Sequence, residues 1–385
     1  MRIAIVTETF LPFKGGSAKR YHEVFKRLSG SGFDVDVYTA RLKDDWPFEE
    51  EIDGIHVVRS PKVYDDFITE DGFRNISQVL DFSLWAMKKL INDDCCMVEA
   101  NHCPIFPAMA SWFRSRLERT QLSVTFHEAW YREWYLYSPN RMYPPLGIML
   151  EKMLTMLPDV GIAVSNFTAR RLVRFFRMNA SRIEVIPNGV DLEFIRGVKA
   201  KRNDRKIVYV GRLNPHKKVE WLIEAYGMLK KEFPQAELEI VGHGPMYDEY
   251  VKYAKRNHFK DVFFRSEVED EEIIRSLKSS RIYVLPSIRE GQSITTLEAM
   301  ASGTPQIVVE AEGNGAADLV AESESGIRVK PCVKEMYKAM KRLLEDEETW
   351  TSLSENGAKY VSNLSWGNIA EQHMKLYRSL SSESW

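Results

Sequence analysis

The stretches RIAIVT at residues 2–7 and KIVYVG at residues 206–211 decide the fold, because each has the pattern of a buried first strand. Each is followed by a loop containing proline, and then by apolar residues at helical spacing through residues 17–28 and 221–229. Further strand-like stretches lie at 33–38, 55–58 and 122–126, and again at 238–242, 262–264, 282–285 and 306–309. Strands that alternate with helices predict parallel sheets with right-handed crossovers. The sequence therefore predicts an α/β protein with two Rossmann-like, doubly wound domains.

The overall composition agrees with two domains and excludes several classes of protein. A chain of 385 residues is long enough for roughly two domains, which we expect to be joined near residues 187–196. No apolar stretch approaches the roughly 18 residues of a spanning helix, and the N-terminus lacks the regions of a signal peptide, so we expect a cytoplasmic protein. The cysteines at 95, 96, 103 and 332 are too few and too irregular for a disulfide framework or zinc site. The net charge of −2 gives no reason to expect nucleic acid as a partner.

Two common nucleotide-binding motifs are missing. Gly242-His243-Gly244 supplies only the first two glycines of the dinucleotide fingerprint, and no Walker-type phosphate loop occurs. The sequence therefore indicates neither NAD binding nor ATP hydrolysis by a P-loop. In open α/β sheets, function is then sought in the loops at the carboxyl ends of the strands.

The stretch PSIREGQSITTLEAM at residues 286–300 carries the most chemical information, since two glutamates, Glu290 and Glu298, are separated by seven residues. If a helix begins near Gln292 or Ser293, its first amides form a ready site for phosphate. Glu290 would then reach the sugar side of a bound diphosphate, and Glu298 the ribose side, because carboxylates accept hydrogen bonds from vicinal hydroxyls. The alternative is a solvated loop acid followed by an ordinary surface glutamate.

Together with VGRLNPHKK at residues 210–218, this stretch resembles the retaining GT-B glycosyltransferases of the large family numbered four, also called group 1. The resemblance implies that Arg212 and Lys217 contact the donor diphosphate, that Glu290 and Glu298 bind the donor, and that His127 faces the donor sugar. The other donor-binding residues that the resemblance implies are Gly15, Gly16, Gly291, Gln292, Ser293 and Ile294. The expected catalytic residues are His127, Glu290, Arg212 and Lys217, and no residue is expected to bind metal.

Further matches extend the resemblance along the chain. They are PNGVD at 187–191, VGHGP at 241–245, SGTP at 302–305 and the terminal segment from Ser365. They imply an acceptor-side domain of residues 1–190 with the C-terminal helix 366–385, and a nucleotide-sugar-binding domain of residues 191–365. In this fold the two domains face a central cleft. Two departures from the family are EGNGAAD at 312–318, with Asp318 in place of glutamate, and Gln292-Ser293, where Phe-Gly is common.

Two histidines follow strand-like segments in the first half. His127 could instead be a structural residue that is bonded to Glu128, and His102 is a weaker candidate for a functional role. Tyr131 stands where the metalloprotease pattern H-E-x-x-H requires its second histidine, so that pattern is absent. The aromatic stretch WYREWYLY at 130–137 is expected either to line the acceptor side or to pack in the core.

Residues 101–183 carry 11 basic and 5 acidic residues, including the stretch FTARRLVRFFRM at 167–178. Helical spacing places Arg170, Arg174 and Arg177 on one side, and apolar residues on the other. One interpretation is peripheral contact between Arg170–Arg177 and the inner face of an anionic membrane. The other, which we favour slightly, is an amphipathic helix that packs on the sheet with a solvated cationic face.

The resemblance implies a retaining, metal-independent glycosyltransferase without a cofactor, whose co-substrate is a nucleoside diphosphate sugar. It would move a hexose from a UDP- or GDP-hexose to a hydroxyl of a glycan, lipid or small-molecule acceptor. The alternatives are a sugar-nucleotide epimerase on the same fold and a catalytically silent sugar-nucleotide-binding protein. The sequence does not specify the base, the sugar, the acceptor or the linkage.

Overall fold

The computed structural model describes residues 1–65, 67, 74–137 and 142–382. The strands are β1 (Arg2–Val6), β2 (Asp34–Arg41), β3 (Glu49–Ile52), β4 (Ile55–Val63), β5 (Met97–Asn101), β6 (Gln121–Phe126), β7 (Val160–Ala163), β8 (Ile183–Val185), β9 (Asn203–Val210), β10 (Glu237–Val241), β11 (Val262–Arg265), β12 (Ser280–Leu285), β13 (Arg289–Glu290), β14 (Gln306–Val309), β15 (Gly313–Asn314) and β16 (Gly326–Val329). The helices are α1 (Gly16–Ser29), α2 (Ile76–Ile91), α3 (Ile105–Leu117), α4 (Glu133–Tyr137), α5 (Tyr143–Leu154), α6 (Asn166–Phe176), α7 (Leu192–Gly197), α8 (Val219–Leu229), α9 (Tyr247–Arg256), α10 (Asp270–Lys278), α11 (Ile294–Ala301), α12 (Gly315–Ser323), α13 (Val333–Glu345), α14 (Glu347–Val361) and α15 (Trp366–Ser382).

The chain divides into two compact units. Unit 1 comprises Met1–Asn188 and Trp366–Trp385, and unit 2 comprises Gly189–Ser365. The boundary lies inside the segment 187–196, where the sequence predicts the joint. The predicted C-terminal helix spans 366–385, of which residues 383–385 lie outside the described part. Within the described residues, no helix is both long enough and apolar enough to cross a bilayer.

Unit 1 is built on an eight-stranded sheet with the order β3-β4-β2-β1-β5-β6-β7-β8. All neighbours pair in parallel except β3 and β4, which are antiparallel and thus depart from the predicted all-parallel pairing. Strand β3 has the sequence EEEI and lies at the edge, where charged side chains discourage pairing with another chain. The parallel strands β1, β5 and β6 are almost wholly buried, as expected of strands that are covered on both faces.

The C-terminal helix α15 belongs to unit 1, where it packs against α1. Its Tyr377 hydroxyl donates a hydrogen bond to Glu99 of β5, which also accepts a 2.7 Å bond from Thr125 Oγ1. Arg20 of α1 is buried and donates to the carbonyl oxygens of Ile186 and Pro187, both at 2.8 Å. Buried polar bonds of this kind, rather than apolar contacts alone, fix the chain ends of unit 1.

Unit 2 has a six-stranded parallel sheet with the order β11-β10-β9-β12-β14-β16. Strand β9 pairs with β10 on one side and with β12 on the other, so Ile207 lies between Leu238 and Ile282. The chain builds outward from β9 through β10 to β11, and then returns to the other side at β12. The junction of β9 and β12 is therefore a topological switch point, the place where open α/β sheets bind ligands.

Candidate functional site

The predicted donor-binding residues of unit 2 lie at this switch point. The loop of residues 211–218 follows β9, and the loop of residues 286–293 follows β12. Both loops leave the carboxyl ends of adjacent strands, so residues some 70 positions apart in sequence come together. The fold therefore brings Lys217 and Glu290 into direct contact.

A glycine turn after β10 sets the position of the Arg212 loop. Gly242 has φ +144°, and a Cβ built there would lie 1.9 Å from the carbonyl oxygen of Gly211. The amide of Leu213 donates to the carbonyl of His243 at 2.9 Å, and the Tyr209 hydroxyl donates to the carbonyl of Arg212 at 2.9 Å. Only a residue without a side chain fits at Gly242, so the VGHGP motif acts by holding the loop that carries Arg212.

Lys217 and Glu290 form a close ion pair, with 2.5 Å between the lysine Nζ and the glutamate Oε1. Their side chains are only 16% and 11% exposed, so solvent screens the pair weakly. The two loops are also joined through the backbone, because the amide of Ile288 donates to the carbonyl of His216 at 3.0 Å. An ammonium group for phosphate and a carboxylate for hydroxyls are thus held side by side.

The buried imidazole of His216 lies among positively charged side chains, which affect its pKa. Burial lowers the pKa of its imidazole far below the ordinary value, and the positive charges of Arg289, Lys217 and Lys218 lower it further. The ring is therefore neutral at physiological pH, while the groups around it are cationic. Sequence reasoning did not select His216 or Arg289. Their only signal was their position inside the motifs NPHKK and SIREG, next to residues that were selected.

Helix α11 begins at Ile294, next to the start predicted at Gln292 or Ser293. Ser293 is its N-cap, and its hydroxyl accepts a 3.2 Å hydrogen bond from the amide of Thr296. Glu298 lies within the helix and is 6% exposed, so it is not the solvated surface glutamate of the alternative interpretation. Because α11 directly follows the loop that carries Glu290, the positive end of the helix dipole lies at the end of that loop.

Asn314 supports the Glu290 loop from the neighbouring strand end. Its Nδ2 donates to the carbonyl oxygens of Ser287 at 2.9 Å and Val309 at 2.7 Å, and its Oδ1 accepts from the amide of Ala316 at 3.0 Å. Asn314 also pairs with Glu290 where β15 meets β13. The sequence departs from the family in this stretch, and its asparagine was not predicted to matter.

In unit 1, His127 follows β6 and His102 follows β5, as predicted. The amide of His127 donates to Nδ1 of His102 at 3.2 Å, and Tyr21 contacts the His127 ring edge-to-face at 6.0 Å between centroids. Burial lowers the pKa of His127 well below its ordinary value and that of His102 to about 4, so both rings are neutral at physiological pH. Within the described residues, the buried Nε2 of His127 has no hydrogen-bond partner, so Glu128 is not bonded to that nitrogen.

The glycine pair of unit 1 lies at the start of α1. Gly15 is the N-cap residue, with extended backbone, and Gly16 is the first residue of the helix. The carbonyl of Gly15 accepts a 2.9 Å bond from the amide of Lys19. Neither residue covers the first amides of α1 with a side chain, which leaves the backbone open to a close approach.

The aromatic stretch after His127 packs against α5 and α6. Glu151 of α5 accepts hydrogen bonds from the Trp130 amide at 2.7 Å and from the Trp134 indole at 2.9 Å. Tyr131 stacks on Phe175 of α6, with 4.5 Å between ring centroids. For Trp130, Tyr131 and Trp134, the contacts therefore favour the core-packing interpretation.

Helix α6 is amphipathic, as predicted, but it ends at Phe176. Arg177 adopts a left-handed conformation, with φ +58°, as the C-cap, so the prediction that it shares a helical face with Arg170 and Arg174 is wrong. A left-handed C-cap ends the helix because the amides at the cap then donate to the last carbonyl groups of the helix. Arg171 is buried and pairs with Glu133 at 2.6 Å.

Comparisons with known proteins identify the family and several relatives of the chain. The model described as "Glycosyltransferase Family 4" matches residues 14–194, and the model described as "Glycosyl transferases group 1" matches residues 191–360. The chain is 24% identical to MMP alpha-(1->4)-mannosyltransferase from Mycolicibacterium hassiacum, with 98% of each chain covered. It is also 24% identical to mannosylfructose-phosphate synthase from Agrobacterium fabrum, covering 94% of this chain and 86% of that one.

The fold is likewise similar to solved structures. Sucrose-phosphate synthase from Thermosynechococcus elongatus matches with a TM-score of 0.84 and 22% identity over 100% of both chains. Anabaena HepE in complex with UDP-glucose matches with a TM-score of 0.74 and 17% identity, over 98% of this chain and 100% of that one. The predicted GT-B fold is thus confirmed. Since the two family models match residues 14–360 between them, the chain belongs to the group 1 glycosyltransferases.

Proposed function

We propose that this chain transfers a hexose from a UDP- or GDP-hexose to a hydroxyl of a glycan, lipid or small-molecule acceptor, with retention and without a metal ion. The observation that carries the proposal is the Lys217–Glu290 pair, which is held at the switch point of unit 2 beside the Arg212 loop and the start of α11. This arrangement combines groups for a diphosphate with groups for sugar hydroxyls. The named relatives support a nucleotide-sugar donor, since HepE binds UDP-glucose and the Mycolicibacterium enzyme is a mannosyltransferase.

The cationic groups take the role of stabilising the leaving diphosphate. Lys217 and Arg289 are close enough to His216 to lower the pKa of its imidazole, and Arg212 lies on the same loop as Lys217. In a partly buried site such charges stabilise a developing phosphate anion strongly, because little reorganisation is needed. We therefore propose that these side chains, and not a divalent cation, neutralise the charge that builds up as the sugar leaves.

The ion pair itself is proposed to open when the donor binds. In the free protein, Lys217 and Glu290 neutralise each other at 2.5 Å. A bound diphosphate would take over the ammonium group, and the hexose hydroxyls would donate to the released carboxylate, so neither charge is left buried and unpaired. Glu298, on α11, is proposed to accept hydrogen bonds from the ribose.

Unit 1 contributes His127 and the Gly15–Gly16 turn to the proposal. His127 is neutral, and its Nε2 has no hydrogen-bond partner among the described residues, so it can bond a hydroxyl without adding charge. The glycine turn allows the first amides of α1 to approach a ligand closely. Replacing His127 by alanine is expected to lower kcat without unfolding unit 1.

The test is transfer of labelled hexose by variants of the ion pair. A thermal-shift panel of UDP, GDP and ADP with their common sugars first identifies the donor. Lys217→Met is then expected to lower kcat about 100-fold, the effect typical of removing one group that stabilises the developing charge. Lys218→Met is the matched control, since Lys218 instead faces Glu220 at 3.5 Å, and it should change kcat by less than about threefold.

Four further measurements separate the parts of the proposal. The anomeric configuration of the product, read by NMR, tests retention, and unchanged activity in excess EDTA is the result expected without a metal. An isomeric sugar nucleotide that forms without any acceptor would identify an epimerase instead. Nucleotide binding with no transfer to any acceptor hydroxyl would identify a silent binding protein. Equal rates for Lys217→Met and the unaltered protein would contradict the role given to the ion pair.

A further inference from the structure

Helix α5 of unit 1 buries its acidic residue and exposes apolar residues. Its acidic residue, Glu151, is buried and bonded to the backbone and indole of the aromatic stretch. Its outward side carries Leu146, Met149 and Met153, which are 48%, 50% and 41% exposed. Met142 before the helix and Met156 after it continue the same stripe at intervals of three and four residues. A helix that needs only to face water would place charged residues at these positions.

The two neighbouring helices expose similar residues. On α2, Ile76, Leu80 and Leu84 are exposed at intervals of one turn. On α3, Phe113 and Leu117 are 49% and 56% exposed. Isolated exposed apolar residues are ordinary, but stripes on several adjacent helices are not.

These stripes lie on one surface, which we call the apolar helix face: the exposed apolar residues of α2, α3 and α5. Helix α3 contacts both α2 and α5. The strands they connect progress in one direction across the sheet, from β4 through β5 and β6 to β7, so right-handed crossovers put all three helices on the same side. At 1.5 Å per residue and 8–10 Å between helices, the face covers on the order of 450 Å².

The charges around this face are mainly basic. The exposed basic residues on the three helices are Lys88, Lys89 and Lys152, together with Arg116, whose guanidinium pairs with Asp159 at 2.7 Å. Within the bounds given for these helices, Asp81 is the only exposed acidic residue, and it already pairs with Lys62 at 3.0 Å. An apolar centre with basic residues around it complements a surface that is apolar inside and anionic outside.

We propose that the apolar helix face of unit 1 docks on the interface of a bilayer that contains anionic lipids. The methionine and leucine side chains enter the boundary between headgroups and acyl chains, and the lysines lie at the level of the phosphates. A second copy of the chain fits less well, because a two-fold contact would bring lysines against lysines. The face is also smaller than the roughly 800 Å² per partner of a stable protein interface.

This surface differs from the cationic face of α6. On α6, Leu172 and Phe176 are buried within unit 1. The outward side carries Arg170 and Arg174, and its exposed apolar residue is Val173. A cationic face with little apolar area is attracted to a charged surface but gains little from insertion. The α5 and α6 surfaces therefore make different predictions for the same binding experiment.

The test is flotation of the full chain with lipid vesicles, which needs no donor, acceptor or transfer activity. Vesicles of phosphatidylcholine alone are compared with an equal mixture of phosphatidylcholine and phosphatidylglycerol. The chain is expected to float with the mixed vesicles, and more weakly as the salt concentration rises. The double variant Met149→Glu with Met153→Glu should bind at least about tenfold less tightly, because two partly inserted side chains are replaced by charges.

Matched variants decide between the surfaces. Phe263→Glu changes a residue with almost the same exposure, 49%, on β11 of unit 2, and it should bind vesicles as the unaltered chain does. Arg170→Glu with Arg174→Glu should weaken binding less than the α5 variant. Circular dichroism and thermal midpoints check that each variant is folded, and Leu146→Gln replaces the double variant if that one is not.

Three results would overturn the proposal. The first is failure of the unaltered chain to float with anionic vesicles. The second is loss of flotation in the α6 variant while the α5 variant still binds, which would place the contact on α6. The third is a dimer in solution that the α5 variant converts to monomer while vesicle binding is absent, which would identify a second copy as the occupant.

Discussion

Replacing Gly242 by alanine tests whether the turn after β10 positions the Arg212 loop. The added Cβ would lie 1.9 Å from the carbonyl oxygen of Gly211, whereas ordinary contact begins near 3.4 Å. The shortfall of 1.5 Å falls on a backbone atom, so it cannot be relieved by rotating a side chain. The loop of residues 211–213 would have to move away from the end of β10.

The expected destabilisation has two parts of similar size. Alanine at φ +144° is strained by about 1–3 kcal/mol, and overpacking against a backbone oxygen costs about another 1–3 kcal/mol. Their sum, about 4 kcal/mol, corresponds to a fall in Tm of roughly 10 °C for a domain of this size. Differential scanning calorimetry of the full chain measures it, and titration with the donor nucleotide should show weakened binding, since Arg212 moves with the loop.

Gly197→Ala is the control for this variant. Gly197 ends α7 in the same unit, and a Cβ built there has no heavy atom within 4 Å. Alanine at a helical position without steric conflict should leave the stability within about 1 kcal/mol of the original, or raise it slightly. A Gly242→Ala protein with the same Tm as Gly197→Ala, and with undiminished nucleotide affinity, would refute the structural role that we give to the turn.

Two other buried charged groups in unit 1 give measurable effects. Arg20→Met leaves the carbonyls of Ile186 and Pro187 without their donor, so it should lower the free energy of unfolding by about 3 kcal/mol. Arg27→Met, at a partly exposed position of α1 where Arg27 pairs with Glu23, should lower it by only about 1 kcal/mol, and equal losses in urea denaturation would contradict this. Burial raises the pKa of Glu151 from 4.5 to about 7, so the folded state holds an extra proton between these values, and the stabilisation that is complete below pH 4.5 is lost as pH rises through 7. The difference in unfolding free energy between the unaltered chain and Glu151→Gln should change by about 3 kcal/mol from pH 5 to pH 8, and a constant difference would disprove the shift.

The main strands of both sheets could be predicted from sequence because their burial produces a clear apolar pattern. The predicted strand at 306–309 matches β14, and the one at 122–126 lies within β6. The sequence analysis gave no bounds for β5, the strand before His102, whose MVEAN contains Glu99 at a fully buried position. An acidic residue normally marks a surface, and only the long-range bonds from Thr125 and Tyr377 explain its burial here. Such partners are not visible in a local pattern.

In the candidate site, too, some features follow from local sequence patterns and others depend on the folded sheet. The start of α11 and the positions of Glu290 and Glu298 follow from local rules for strand ends and helix caps. The contact between Lys217 and Glu290 depends instead on the strand order, which puts β9 beside β12. Asn314 was not selected, because its bond to the carbonyl of Ser287 joins backbone groups 27 positions apart that become neighbours only in the folded chain.

Ser293 departs from the family pattern, and this departure changes which groups are available to bind an anion at the start of α11. Its hydroxyl accepts the hydrogen bond of the Thr296 amide, so one of the first amides of α11 is already satisfied within the protein. A glycine at this position would have no side chain to make that bond. An anion at the helix start therefore meets one fewer amide donor here, and more of its charge falls to the cationic side chains around His216. The Lys217–Glu290 contact fits this requirement, since it holds a lysine ammonium beside the loop that leads into α11 before any ligand binds.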